Sequence, residues 1–203
     1  PSDVPEPEQP SCREYLQQAL LSLCSATQGR TLVLFTSHSQ LRQTWNAIHR
    51  RLAEKGILVL GHGVDGSPRR QLLQTFRTNA KTVLLGTGSF WDAVDVPGDM
   101  LRVVVIARLP FTRPGDPIAA ARSEGLKDPL GEYTLPQTIL RLKQGFAQLI
   151  RSQRDRGVVV VFDRRIQSRS YGSAFLSSLP PCSVRSGPIQ DLPKEAVRWL
   201  RSP

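Results

Sequence analysis

Short apolar runs and amphipathic stretches alternate along this chain. Each run has the length and composition of a strand buried on both faces of a parallel sheet, and the runs fall at 31–36, 57–60, 82–85, 101–106 and 158–162. Between them, apolar residues recur every three or four positions, which predicts helices at 11–26, 40–54, 135–149 and 194–200 and another that begins at Pro68. Ser11 is expected to cap the first of these helices. Strands that alternate with helices predict right-handed crossovers and an α/β fold, with three layers around a mostly parallel sheet.

The two ends of the chain differ from its middle. The first ten residues contain four prolines and three acidic residues, which predicts a linker or frayed edge at 1–10 before one domain at 11–203. The alternating pattern fills 31–165, and 166–203 forms an extension that is polar and irregular before its last helix. In that helix an apolar edge is expected to dock on the domain, formed by Ala196, Val197, Trp199 and Leu200.

The charge balance narrows the choice of partner. The chain has 203 residues, a net charge of +10 and an isoelectric point of about 10.4, which favours a polyanion such as nucleic acid. No apolar run approaches the roughly 20 residues that a membrane span needs, so no membrane partner is expected. Three widely spaced cysteines indicate neither a disulfide framework nor a four-thiolate site. The three histidines are scattered, and we assign none of them to catalysis or metal binding.

The loops that follow the predicted strands are rich in groups that bind phosphate. In α/β folds ligands gather at the carboxyl ends of the strands. Here the loops at these ends contain small hydroxyls, glycines and arginines, and they span 36–39, 86–98, 110–114 and 163–165. Such side chains and exposed backbone amides suit contact with phosphates.

The predicted helix at 135–149 has one apolar stripe, formed by Leu135, Ile139, Leu142, Phe146 and Leu149. Polar residues with aligned spacing follow on the opposite face: Gln144, Gln148 and Arg151. Two amides and a guanidinium in this order could present donors to the phosphates of a nucleotide. The alternative is an amphipathic helix whose polar face only meets water.

Taken together, these segments resemble the second RecA-like motor domain of the DinG/XPD-like family of superfamily-two DNA helicases. The resemblance spans about 31–165 and follows the family's order of motifs. Residues 32–37 resemble motif IV, 89–98 resemble motif V, and 144–151 resemble motif VI. Residues 109–111 and 114–117 resemble the landmark that follows motif V.

The resemblance implies a role in ATP use. Arg151 would reach the γ-phosphate as an arginine finger, which stabilises the charge of the transition state. Gln144 would contact the phosphate or the attacking water, and Asp95 and Gln148 would complete the ATP contacts of this domain. Two alternatives stay open, in which Gln144 is a solvated amide and Arg151 forms a surface ion pair with Asp155.

The resemblance also implies contacts with DNA. Thr36 and Ser37 would touch the DNA backbone, and a neighbouring set of residues would border the strand: Gly86, Thr87, Ser89 and Arg113. Contacts of this kind fit tracking along single-stranded DNA without base readout. The alternative for Thr36 and Ser37 is an ordinary helix cap. For Trp91, we favour a hydrophobic plug under the loop over stacking on a base.

The sequence departs from the family pattern in both nucleotide-facing motifs. Asp92 and Ala93 stand where motif V usually carries glutamate and glycine. Ala147 and Gln148 stand where motif VI usually carries glycine and arginine. Glutamine lacks the charge and the fork of arginine, so one of two expected cationic contacts with ATP is missing.

The resemblance further implies that ATP and magnesium bind in the full-length protein, because the phosphate loop and the acidic magnesium motif of this family belong to its first motor domain. Neither motif occurs here, so the isolated chain is expected to be inactive. The iron–sulfur cluster of many members is likewise not expected in this chain.

The sequence therefore predicts the second motor domain of an ATP-dependent DNA helicase that translocates on and unwinds DNA. Its expected partners are single-stranded or forked DNA and the first motor domain of the same polypeptide. Its expected setting is DNA repair in the bacterial cytoplasm, in association with the nucleoid. Three alternatives remain: a degenerate module that binds DNA or a partner without hydrolysing ATP, a nuclease-like or regulatory module built on the same sheet, and a generic basic α/β binding protein.

Overall fold

A parallel sheet forms the centre of the protein. The computed structural model describes residues 1–64, 66–92, 94, 96, 98–112, 115–150 and 155–201. Five strands pair in the order β2-β3-β1-β4-β5, and every pair is parallel. Their bounds are β1 Thr31–Leu34, β2 Leu58–Gly61, β3 Thr82–Gly86, β4 Val103–Ile106 and β5 Val158–Val161. The predicted α/β fold with a mostly parallel sheet is confirmed.

Helices connect the strands and cover the sheet. Their bounds are α1 Ser11–Ala26, α2 His38–Ala53, α3 Arg69–Thr78, α4 Pro117–Ser123, α5 Leu135–Ala147, α6 Arg165–Ser168, α7 Gly172–Ser177 and α8 Leu192–Arg201. A π-helical stretch, Leu130–Thr134, leads directly into α5. None of the helices in the described ranges is long and apolar enough to cross a membrane.

Alternate residues of the strands face two separate cores. In β1, Val33 packs with α1, α2 and α8 on one side of the sheet. Its neighbours Leu32 and Leu34 pack with α3, α5 and α7 on the other side. Because both faces are buried, the strands read as continuous apolar runs in the sequence.

The route of the chain creates a crevice between β1 and β4. These strands are neighbours, but the chain leaves β1 for α2 on one face, whereas after β4 it reaches α5 on the other face. Adjacent strands whose connections diverge in this way leave an opening at their carboxyl ends, which is the usual ligand-binding position of an α/β sheet.

Helix α1 matches the predicted bounds, but two predicted helix starts differ in detail. Ser11 was expected to cap α1, whereas Pro10 occupies the N-cap position without a side-chain hydrogen bond. Pro68 was expected inside α3, but the helix begins at Arg69 and Pro68 has extended backbone angles. Capping thus departs from the sequence prediction while the helices themselves form as expected.

The first ten residues lie against the domain. The side chain of Val4 is 1% exposed, the amide of Ser2 donates to the carbonyl oxygen of Gly187 at 2.8 Å, and Asp3 accepts a hydrogen bond from the amide of Ile189. Their role as a linker stays a prediction.

Helix α8 docks through part of the predicted edge. Ala196 is buried against α1 and Leu200 packs on the same core, whereas Trp199 is 43% exposed. The docking edge is therefore confirmed for Ala196 and Leu200 and is wrong for Trp199.

Candidate functional site

The crevice at the ends of β1 and β4 contains a cavity of about 520 Å³. It is lined by residues 36–39 on one side and by Arg108, Leu109, Phe111, Thr112 and Arg165 on the other. Hydroxyl groups and two guanidinium groups therefore surround one space. Such a lining suits a phosphate ligand, because hydroxyls and arginines are common donors to phosphate oxygens.

Ser37 forms the β1 side of this cavity and begins α2. Its backbone is extended, and its hydroxyl oxygen accepts a weak hydrogen bond from the amide of Gln40 at 3.5 Å. The capping alternative is thus confirmed for Ser37. A hydroxyl that accepts one hydrogen bond keeps its own hydrogen to donate, so contact between DNA and Thr36 or Ser37 stays a prediction.

Asp163 fixes the position of Arg165 on the opposite wall. Asp163 is 1% exposed, and its carboxylate accepts hydrogen bonds from Nε and Nη2 of Arg165 at 2.9 and 2.6 Å. It also accepts one from the amide of Leu109 at 2.9 Å. The hydrogen bonds between Asp163 and Arg165 raise the pKa of Arg165 above its ordinary value. A guanidinium held at two points loses little freedom when it meets an anion.

Arg108 connects the cavity to the N-terminal segment. One of its terminal nitrogens donates a hydrogen bond to the carbonyl oxygen of Pro7. Its Nε is buried and has no hydrogen-bond partner among the described residues. Residues 1–10 therefore lie beside the rim of the crevice.

Two of the three described residues that were expected to border DNA after β3 are buried. Thr87 lies between two histidines, with its Oγ1 at 2.9 Å from Nε2 of His38 and 3.1 Å from Nδ1 of His62. Gly86 packs so closely on Phe90 that a Cβ there would lie 2.5 Å from that side chain. Ser89 is exposed. Contact between these residues and DNA stays a prediction.

Trp91 plugs the space under the same loop. Its side chain is buried, and its Nε1 donates a hydrogen bond of 2.9 Å to the carbonyl oxygen of Phe35. The ring lies against Gly145 of α5, where a Cβ would come within 3.3 Å of it. The interpretation of Trp91 as a plug is confirmed.

Gln148 joins the end of α5 to this loop. It is 4% exposed, and its amide nitrogen donates to the carbonyl oxygens of Phe90 at 2.8 Å and of Trp91 at 3.1 Å. Its Oε1 is buried without a hydrogen-bond partner in the described part of the chain. Gln144, in contrast, is exposed on α5.

The prediction that Gln148 lies with Gln144 on the face of α5 opposite the apolar stripe is therefore wrong. Gln148 follows the buried Gly145 by three residues, so it turns toward the sheet together with Leu149. Its amide is occupied by backbone carbonyls. Direct contact between Gln148 and ATP stays a prediction.

Comparison with known proteins assigns the domain. The family model described as "Helicase C-terminal domain" matches residues 20–182. The chain belongs to this helicase family. Its parallel sheet and covering helices agree with the RecA-like fold predicted for such a domain.

Several curated bacterial proteins are similar to this helicase domain. The "ATP-dependent DNA helicase YoaA" of Escherichia coli (strain K12) is 38% identical over 205 residues, which cover 99% of this chain and 31% of that protein. The "3'-5' exonuclease DinG" of Bacillus subtilis (strain 168) is 40% identical over 161 residues, covering 77% of this chain and 17% of that protein. The "ATP-dependent helicase DinG" of Mycobacterium tuberculosis (strain H37Rv) is 39% identical over 166 residues, which cover 80% of this chain and 24% of that protein. The chain thus spans less than a third of the length of these relatives.

Three predicted site residues of the helicase domain, Asp95, Arg113 and Arg151, lie outside the described residues. Their roles stay predictions, and so does the ion pair suggested between Arg151 and Asp155. Within the described ranges, no group of three or more His, Cys, Asp or Glu side chains could hold a metal ion.

Sequence reasoning missed four residues of the strand ends: His38, His62, Arg108 and Arg165. A signal for Arg165 was present, because Asp163 and Arg165 follow β5 directly and the loop 163–165 was already recognised as phosphate-binding in character. Nothing in the sequence alone indicated that His38 and His62 meet, because they follow different strands.

Proposed function

We propose that this helicase domain is the second motor domain of an ATP-dependent DNA helicase. In the intact protein, the crevice between β1 and β4 binds the phosphates of single-stranded or forked DNA. The end of α5 acts on ATP and magnesium that the first motor domain holds. Translocation and unwinding follow from closing and opening of the two motor domains on ATP.

The cavity between β1 and β4 is the observation that carries this proposal. It has hydroxyls from residues 36 and 37 on one wall and the guanidinium of Arg165, held by Asp163, on the other. The net charge of +10 strengthens attraction to a polyanion. No base-reading group is required, which agrees with movement along any sequence. Arg113 extends the same DNA contact in this proposal.

The ATP-facing part of the proposal rests on Gln144, Arg151 and Asp95. Gln144 is exposed on α5, so its amide is available to a partner domain. Arg151 supplies the positive charge at the γ-phosphate, and Asp95 contacts the nucleotide from the loop after β3. The domain alone does not hydrolyse ATP, because the phosphate loop belongs to the first motor domain.

Substitution of Arg151 tests the proposal. In the intact protein, Arg151→Ala should lower DNA-stimulated ATP hydrolysis by roughly a thousandfold or more, while binding of single-stranded DNA persists. Arg141→Ala is the matched control, because Arg141 is an exposed arginine on α5. Hydrolysis that is unchanged by Arg151→Ala would contradict the assignment of the arginine finger.

A second candidate function follows from the buried amide of Gln148. Because this amide is bound to the carbonyls of Phe90 and Trp91, the domain has one fewer group to offer ATP. The intact protein would then bind DNA or a partner without turning over ATP. An intact wild-type protein that binds single-stranded DNA but shows no hydrolysis above background would favour this candidate.

We further propose a bacterial cytoplasmic location, association with the nucleoid and a role in DNA repair. The bacterial relatives named as DNA helicases support this setting. Localisation of a tagged intact protein on and off the nucleoid tests it.

A further inference from the structure

Two histidines meet at one hydroxyl at the carboxyl edge of the sheet. His38 follows β1, His62 follows β2, and Thr87 follows β3. The Oγ1 atom of Thr87 lies 2.9 Å from Nε2 of His38 and 3.1 Å from Nδ1 of His62. The two imidazole rings are 5.1 Å apart between centroids. His38 and His62 thus form a histidine pair, and Thr87 is its bridge.

The bridge limits how many protons the pair can hold. A threonine hydroxyl has one hydrogen to donate and can also accept. When both rings are neutral, or when only one of them is protonated, the hydroxyl of Thr87 can donate to one ring and accept from the other. When both rings are protonated, both donate to the same oxygen and two positive charges face each other across it. The second proton is therefore unfavourable unless an anion is added.

The charges around the histidine pair also disfavour the second proton. Arg69 of α3 lies over the ring of Phe90, which in turn packs on His62. Burial lowers the pKa of His62, and the neighbouring His38 and Arg69 lower it further, against an opposing hydrogen bond from Thr87.

Across the crevice, Arg108 and Arg165 line the same cavity as His38. Asp163 is already paired with Arg165, and Glu8 also acts electrostatically on Arg165. The groups that act electrostatically on His62 are His38 and Arg69, so the fixed charge beside the pair is positive.

His38 is the member of the pair that a ligand can reach. It is exposed at the first position of α2, next to Ser37, and lines the cavity between β1 and β4. Thr87 is buried beneath it. An anion that enters the cavity would thus meet the imidazole of His38 before it meets the hydroxyl of Thr87.

We propose that the histidine pair and its bridge form a proton-linked phosphate site, in which a backbone phosphate of single-stranded DNA contacts His38 and is bound most tightly when the pair is protonated. This inference rests on the proposed function of the domain. It adds a ligand group and a dependence on pH to the DNA-binding crevice.

The direction of the effect follows from linkage. A phosphate stabilises the charged form of an imidazole, so bound DNA raises the proton affinity of the pair and binding takes up protons. DNA affinity then falls as the pH rises through the range in which histidine ionises. For each proton taken up, the fall is at most about tenfold per pH unit.

Binding of a rhodamine-labelled oligothymidylate by the intact protein tests the inference. Fluorescence anisotropy gives the dissociation constant between about pH 6 and pH 8 at constant ionic strength. The wild-type protein should lose roughly three- to tenfold in affinity over this range. His38→Gln should bind weakly with little dependence on pH, and His38→Arg should bind tightly at every pH. His62→Gln retains the imidazole of His38 and should therefore retain a dependence on pH.

His49→Gln is the matched control. His49 belongs to the same helix as His38, but its ring stacks on Trp45 with centroids 3.8 Å apart, and its Nδ1 lies 2.9 Å from the carbonyl oxygen of Trp45. The control should keep the wild-type dependence on pH.

The possible failures are distinguishable. If His38→Gln keeps the wild-type dependence, or the wild-type protein shows none, the inference is wrong and the proposed function is untouched. If no DNA binds at any pH, both the proposed function and the inference about the histidine pair are wrong. Thermal unfolding monitors each variant, and if His62→Gln is destabilised, the two exposed variants at His38 decide the outcome.

Discussion

The side-chain amide of Gln148 donates a hydrogen bond of 2.8 Å to the carbonyl oxygen of Phe90. A second hydrogen bond, to the carbonyl oxygen of Trp91, starts from the same nitrogen. One side chain at the end of α5 therefore holds the loop that follows β3. This loop and this helix correspond to the two motifs through which the family is expected to meet ATP.

Gln148→Ala should destabilise the domain by about 1–3 kcal/mol, because it leaves two buried carbonyl oxygens without their donor. Urea unfolding followed by circular dichroism measures the change. Gln137→Ala is the matched control, since Gln137 is exposed on the same helix, and it should change stability by less than about 0.5 kcal/mol. Equal effects of the two substitutions would contradict the structural role of Gln148.

Asp163→Asn should cost about 3 kcal/mol of folding free energy, because it removes the charge that partners the mostly buried guanidinium of Arg165. The amide group of asparagine would also oppose the donors of Arg165. Thermal or urea unfolding gives the value. Asp191→Asn, at an exposed position, should leave the free energy of unfolding nearly unchanged. An equal loss of stability in both variants would contradict a specific role for the Asp163–Arg165 ion pair.

Arg165→Ala should weaken binding of single-stranded DNA by the intact protein and reduce its dependence on salt. A phosphate contact that is lost lowers the slope of log K against log salt concentration by about one. Arg50→Ala serves as the control, because Arg50 lies in the last turn of α2, at the end of that helix far from the crevice. A slope that is unaltered by Arg165→Ala would exclude a phosphate contact at this residue.

The three cysteines should react at different rates. Burial raises the pKa of Cys24 to about 12 and also raises the pKa of Cys12, whereas Cys182 is exposed. Because the thiolate is the reactive form, iodoacetamide at a pH well below these values should label Cys182 first in the native domain. Urea should make all three accessible. Mass spectrometry of the peptides measures each site, and rapid native labelling of Cys24 would contradict its burial.

Periodicity predicted the parts of the fold that depend on local sequence. Helix α1 was predicted from an apolar side formed by Tyr15, Leu16, Leu20 and Leu23. The three leucines are buried, whereas Tyr15 is 40% exposed. The strands were recognised because a sheet covered on both faces requires apolar residues at every position. The alternation of strands and helices also predicted that ligands bind in the loops at the carboxyl ends of the strands.

Long-range contacts could not be predicted in this way. Val4 is buried because the N-terminal segment meets residues 187–189, which lie at the other end of the chain. Gln148 lies at the boundary between the polar and apolar faces of α5, where helical spacing alone cannot assign its direction. His38 and His62 come together only because β1, β3 and β2 are neighbours in the sheet.

The crevice owes its existence to the order of the strands rather than to any side chain. Substitutions can exchange the hydroxyls and guanidinium groups on its walls, yet the hollow persists as long as the chain leaves β1 and β4 toward opposite faces. The shape of the crevice therefore depends on the order of the strands, whereas its binding chemistry depends on the side chains of its walls. A domain with other side chains on these walls would keep the same groove and could bind a different ligand there.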